Sequence, residues 1–102
     1  MSESSTDPVI IEVALNGATP TERNPHSPQT QERLVEDAIR CIEAGAAIVH
    51  THAPDITLGG EAGARQYLEH FEPIHARYPE AIVYPTIVFG QTIEEKTSHI
   101  EP

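Results

Sequence analysis

Basic side chains, aromatic rings and cysteine are all scarce in these 102 residues. Lys and Arg together number six against sixteen Asp and Glu, a formal charge of −10. The basic stripe that follows a phosphate backbone is therefore missing, which argues against nucleic acid as a partner. A single cysteine, Cys41, leaves no internal disulfide and points to a reducing, cytoplasmic setting. Within Ile39-Arg40-Cys41-Ile42 it reads as a helix residue used for packing rather than as a reactive thiol. With no Trp, two Phe and three Tyr, the core has to be built from aliphatic side chains. No apolar run approaches the roughly 20 residues of a membrane span. Met1 to Asp7 is polar and acidic and lacks the basic and apolar parts of a signal peptide. Residues 1–7 are expected to be a disordered N-terminus and 8–102 to belong to one domain.

What remains is organised as alternating strands and helices. Val9 to Leu15 is an apolar run closed by Asn16-Gly17, the pattern of a buried strand ending in a turn. Ala18 to Gln29 is a loop rich in Pro, Thr, Asn and Ser, of a length often used for binding. Thr30 can cap a helix whose apolar positions Leu34, Val35, Ala38, Ile39 and Ile42 share one face, and Gly45 can stop it. A strand from Ala47 to His52 follows, making a βαβ unit. After a loop from Pro54 to Gly60, Gly63 to Arg77 reads as a weaker helix, with Tyr67, Leu68, Phe71 and Ile74 facing inward and Pro73 expected to kink it. Ala81 to Val88 is the third strand, irregular at Pro85, and Thr92 to Ile100 begins a third helix. The fold class is therefore α/β, built of parallel βα repeats whose edges need pairing.

The chemistry concentrates at one place. In Ala46-Ala47-Ile48-Val49-His50-Thr51-His52, two histidines one residue apart end an apolar strand. Residues two apart on a strand point the same way, so both imidazoles address one spot. Neutral imidazole is a common zinc ligand, and a catalytic zinc needs a third protein ligand and an open position. In parallel α/β folds the carboxyl ends of strands are where ligands bind. The pair proposes a metal without completing its shell, and such pairs also occur by chance on solvated strands. Asp55 could orient an imidazole but fits a turn beside Pro54 better. Glu12 is open between the site and the surface. His26 reads as a solvated loop residue, and His70, His75 and His99 as exposed helix residues.

Taken together, Val9-Ile10-Ile11 leading to Asn16-Gly17-Ala18, and Glu43-Ala44-Gly45-Ala46-Ala47-Ile48-Val49 leading into His50-Thr51-His52, resemble the β-keto acid cleavage enzymes. The resemblance runs from about Pro8 to Pro102. It implies that the chain is the first three units of a (β/α)8 TIM barrel, with residues 8–102 the N-terminal part of that domain. It further implies zinc on His50 and His52, a third glutamate ligand beyond Pro102, and Thr86 at the position of a catalytic serine. The implied reaction exchanges a β-keto acid with acetyl-CoA to give acetoacetate and a new CoA thioester, in a homo-oligomer. An acidic residue of the family falls near Thr19 here, and an arginine falls at Ala53, so those two matches fail. The expectation is a fragment with little activity alone. The alternatives are a noncatalytic α/β assembly module and a metal-dependent hydrolase barrel.

Overall fold

The computed structural model describes residues 7–102, so the disorder expected of residues 1–6 lies outside the described residues, while Asp7 is exposed. The elements run β1 (Glu12–Ala14), α1 (Gln31–Glu43), β2 (Ile48–Thr51), α2 (Gly60–Arg77), β3 (Ile82–Pro85) and α3 (Ile93–Lys96). The three strands form one parallel sheet in the order β1-β2-β3. Parallel neighbours need crossovers, and α1 and α2 supply them.

Register sorts the side chains onto two faces. Val13, Val49 and Val83 lie level with one another, and Glu12, Ile48 and Ile82 form the adjacent row. Since the side-chain period is two, the valines face one way and the neighbouring rows the other. The valine face carries the helices: Val49 joins Ala38 of α1 and Ile74 of α2 in a fully buried cluster, flanked by Val13, Leu15, Val35, Ile42 and Val83. Burying side chains of this kind stabilises by about 1.5–3 kcal/mol each. The other face presents Glu12, Ala14, His50 and Tyr84.

Helix α1 begins as the sequence indicates. The Thr30 side chain accepts from Arg33 N–H, and Gly45 takes φ +122° just beyond the last turn. Helix α2 starts three residues earlier than expected, at Gly60, and continues through Pro73 to Arg77. The carbonyl of Glu69, which loses its helical partner to the proline ring, is on an exposed residue, and buried His70 and Ile74 hold the turn on either side. Gly63 is needed for close packing, because a Cβ there would meet the Leu58 carbonyl oxygen at 2.4 Å.

Four expectations are corrected. The first strand is only three residues long, and Val9 and Ile10 are 80% and 74% exposed, because among the described residues β1 is paired with β2 alone and nothing covers its start. The third strand is four residues long and ends at Pro85 rather than running to Val88, with one further bond from the Thr86 N–H to the Thr51 carbonyl beyond it. The third helix is a single turn, with His99 in the turn that follows. Finally, His70 and His99 are buried, not exposed; of the three, only His75 is exposed.

His70 shows why. Its Nδ1–H donates to Gln31 Oε1 at 2.7 Å, so its Nε2 accepts from the Thr51 hydroxyl at 2.9 Å. Both partners are satisfied, which is the condition for keeping a polar ring in a core. Loss of solvent lowers the His70 pKa to about 4. The unfolded chain then binds a proton that the folded chain refuses between about pH 6.5 and 4, so stability falls as pH falls through that window. Denaturant unfolding should show a loss on the order of 3 kcal/mol across it from this residue. His70→Leu should flatten that slope, and an unchanged slope would contradict the assignment.

Candidate functional site

The two histidines sit where β2 hands over to a loop. His50 is in the strand and His52 just past its last residue, Thr51. Their rings lie 5.3 Å apart between centroids at 79°, on the same side of the segment. Thr51, between them, is fully buried on the helix side. Alternation thus brings the two rings together as the spacing indicates.

The pair has two features that suit a cation, the second confined to His52. The Nδ1 atoms of His50 and His52 are both buried and without a hydrogen-bond partner, a condition native structures rarely leave unexplained. Desolvation, and then the neighbouring His50, lower the pKa of His52, which favours the neutral form that binds metal. Two imidazoles bound to one tetrahedral ion at about 2.0–2.1 Å would have centroids about 5 Å apart. The donors present therefore fit two of a metal's ligands. Among the described residues no group of three His, Cys, Asp or Glu could complete the set.

The segment around the pair is fixed residue by residue. Asn16 Oδ1 accepts from the His52 N–H at 2.9 Å, and Asn16 Nδ2 donates to the carbonyls of His52 at 2.8 Å and Pro28 at 3.0 Å. The Tyr67 hydroxyl accepts from Ala53 N–H at 3.1 Å. Burial raises the Tyr67 pKa, and hydrogen bonds from the backbone of Ala53 and Thr86 oppose that rise. Gln66 both donates to the Asp55 carbonyl and accepts from the Asp55 N–H, each at 2.9 Å. Together with His70 on Thr51, three side chains of α2 hold residues 51, 53 and 55, every second residue of the segment.

Thr86 follows β3 as His52 follows β2. Its N–H continues the ladder to the Thr51 carbonyl at 3.1 Å, and its carbonyl accepts from His99 Nε2–H at 2.8 Å. His52 and Thr86 line one groove of about 410 Å3 together with Val88 and Lys96. Asp55 is the turn residue the sequence suggests: its Oδ1 accepts from the Thr57 N–H and hydroxyl, bonds that lower its pKa. His26 is exposed on its loop. Cys41 is half-buried on α1.

Three residues escape the sequence reading. Asn16 looks like half of an Asn-Gly turn, and nothing in the sequence shows that its amide reaches residue 52. Tyr84 packs on the His50 ring with centroids 4.5 Å apart, and its hydroxyl donates to Glu12, which raises the Tyr84 pKa. Glu12 is thereby placed on the histidine face while still exposed. The alternation Tyr84-Pro85-Thr86 beside His50-Thr51-His52 carries that signal. Lys96 lines the groove from a helix too short to show a face.

A family model for beta-keto acid cleavage enzymes matches residues 8–102. A 3-keto-5-aminohexanoate cleavage enzyme of Acetoanaerobium sticklandii is 31% identical over 91 residues, 86% of this chain and 33% of that protein. A 3-oxoadipate:acetyl-CoA acetyltransferase of Cupriavidus necator is 46% identical over 48 residues, covering 46% of this chain and 17% of the relative. A 3-dehydrocarnitine:acetyl-CoA trimethylamine transferase of Rhizobium meliloti is 40% identical over 55 residues, covering 53% and 18%. The chain spans about a third of the length of the first of these relatives. No solved structure matches it significantly.

Removing the Asn16 amide should be costly, because it leaves a donor and two acceptors unpaired beside His52. Asn16→Ala is expected to destabilise by about 1–3 kcal/mol in urea unfolding. Asn16→Asp, which keeps only the acceptor, should not restore stability. A neutral Asn16→Ala would show that the amide is dispensable.

Proposed function

We propose, on the premise that this chain belongs to the beta-keto acid cleavage enzyme family, that it supplies the metal-binding and substrate-facing strands of an enzyme that exchanges a β-keto acid with acetyl-CoA. The observation that carries this reading is the pair of imidazoles of His50 and His52 at the end of β2, each with a buried Nδ1 that has no hydrogen-bond partner. Zinc is the ion that two neutral imidazoles and one carboxylate suit best. The carboxylate is expected from a glutamate outside the described residues. When bound, the ion would polarise the ketone of the keto acid as a Lewis acid.

The chain's own residues do the rest of the work assigned here. Asn16, Tyr67 and His70 hold the backbone on both sides of the pair, so the imidazoles need not reorganise when substrate arrives. Burial keeps His52 neutral, so protons compete less for it. Thr86, sharing the groove with His52, can donate its hydroxyl hydrogen to a carboxylate or keto oxygen of the substrate. In the overall exchange the acyl group of the keto acid passes to the CoA sulfur, and the released acetate unit joins the acetyl group to give acetoacetate.

The sheet supports the architectural half of the proposal. Among the described residues helices cover only the valine face, and the opposite face carries Glu12, His50 and Tyr84. Such one-sided cover suits the first three units of a (β/α)8 barrel, whose active sites lie at the carboxyl ends of strands. Among the described residues no helix is long and apolar enough to cross a membrane. Exposed Leu68, Phe89 and Ile100 offer apolar surface for the homo-oligomer that belongs to this reading.

Zinc titration against a chromophoric chelator is the direct test. The protein should take up one ion per chain, and His50→Ala and His52→Ala should each weaken it by more than about tenfold, the loss that follows even from removing an outer partner of a ligand. Affinity should fall as the pH drops through the histidine range. If both variants retained full uptake, the metal assignment would be lost. Acetoacetate formation followed by mass spectrometry tests the reaction itself.

A further inference from the structure

We infer that Lys96 makes the groove beside His52 and Thr86 select a substrate with a second acidic group, a β-keto acid bearing a carboxylate at the far end of a short aliphatic chain. The inference rests on the proposed function and adds a substrate class to it.

Lys96 is the one lysine in the sequence. It is half-buried and lines the same groove as His52 and Thr86, whereas none of the five arginines does. Its acidic neighbours Glu94 and Glu95 are exposed, and Glu95 Oε1 accepts from the Thr92 hydroxyl instead. Among the described residues Lys96 has no carboxylate within ion-pair distance. In a chain of charge −10 that is a distinctive arrangement. An ammonium on a half-buried residue with no carboxylate partner leaves its charge free to pair with an anionic ligand in the groove.

The backbone under Lys96 is fixed to the wall of the groove. Its carbonyl accepts from Val88 N–H at 2.9 Å, and its N–H donates to the Thr92 carbonyl at 3.0 Å. Gly90 permits this contact, since a Cβ there would lie 2.7 Å from Glu95 Cβ and 3.2 Å from Lys96 N. The ammonium thus springs from an anchored position. The volume, about 410 Å3, is in the range of ligand pockets and leaves room beyond a four-carbon keto acid. Ile56, Val88 and Phe89 give that room an apolar wall, which suits a run of methylenes between two polar ends. A cationic tail would meet the ammonium as a like charge and be rejected.

Calorimetric titration of the full chain with adipate and with 6-aminohexanoate, equal in length and opposite in tail charge, tests this with and without one equivalent of zinc. Adipate should bind at least about tenfold more tightly than 6-aminohexanoate. Lys96→Met should bring the two within about threefold while circular dichroism and zinc uptake stay unchanged, and Lys96→Arg should retain the preference. Failure of adipate to bind, equal binding of the two probes, or a preference that survives Lys96→Met would overturn the inference. His50→Ala judges the metal reading separately: loss of zinc uptake with the adipate preference intact supports Lys96 on its own.

Discussion

The hydrogen bonds that α2 sends into the end of β2 hold the candidate site in place. His70, Tyr67 and Gln66 contact Thr51, Ala53 and Asp55, matching a helix face to every second residue of an extended segment. Because those contacts lie on the helix side, His50 and His52, on either side of Thr51, turn to the opposite side of the sheet. One set of bonds therefore fixes both the packing of α2 and the direction of the imidazoles. Buried polar pairs of this sort add little net stability when complete and cost much when broken. Their value here is in defining one orientation.

The sheet is divided along the same line. Its helix-covered face is aliphatic and dry, with Val49, Ala38 and Ile74 fully buried. Its other face mixes Glu12, Tyr84 and His50, linked by a hydrogen bond and a ring contact that span all three strands. Polar groups on a strand need partners or solvent; Tyr84 and Glu12 supply partners to each other, while the His50 Nδ1 is left without one.

Much of this was legible in the residues. The order of strands and helices, the Thr30 cap, the Gly45 stop and the common direction of His50 and His52 follow from periodicity and local chemistry. Element ends were less legible: the run Val9 to Leu15 has strand composition, but only the part facing β2 is paired. His70 and His99 misled because a histidine on a helix is usually solvated, and the partners that allow burial, Gln31, Thr51 and the Thr86 carbonyl, are 13 to 39 residues away. The reach of Asn16 to residue 52 is equally non-local. Interactions that cross between elements leave no periodic trace.

The short first strand gives the site an uneven mechanical character. Asn16 stands two residues beyond β1, and β1 has three residues under an exposed leader, so fraying at that edge would draw the amide away from His52. The grip of α2 on Thr51 and Ala53 lies on the other side and would outlast it. His52 thus hangs between a firm jaw and a compliant one, and the compliant jaw is the chain's own first strand.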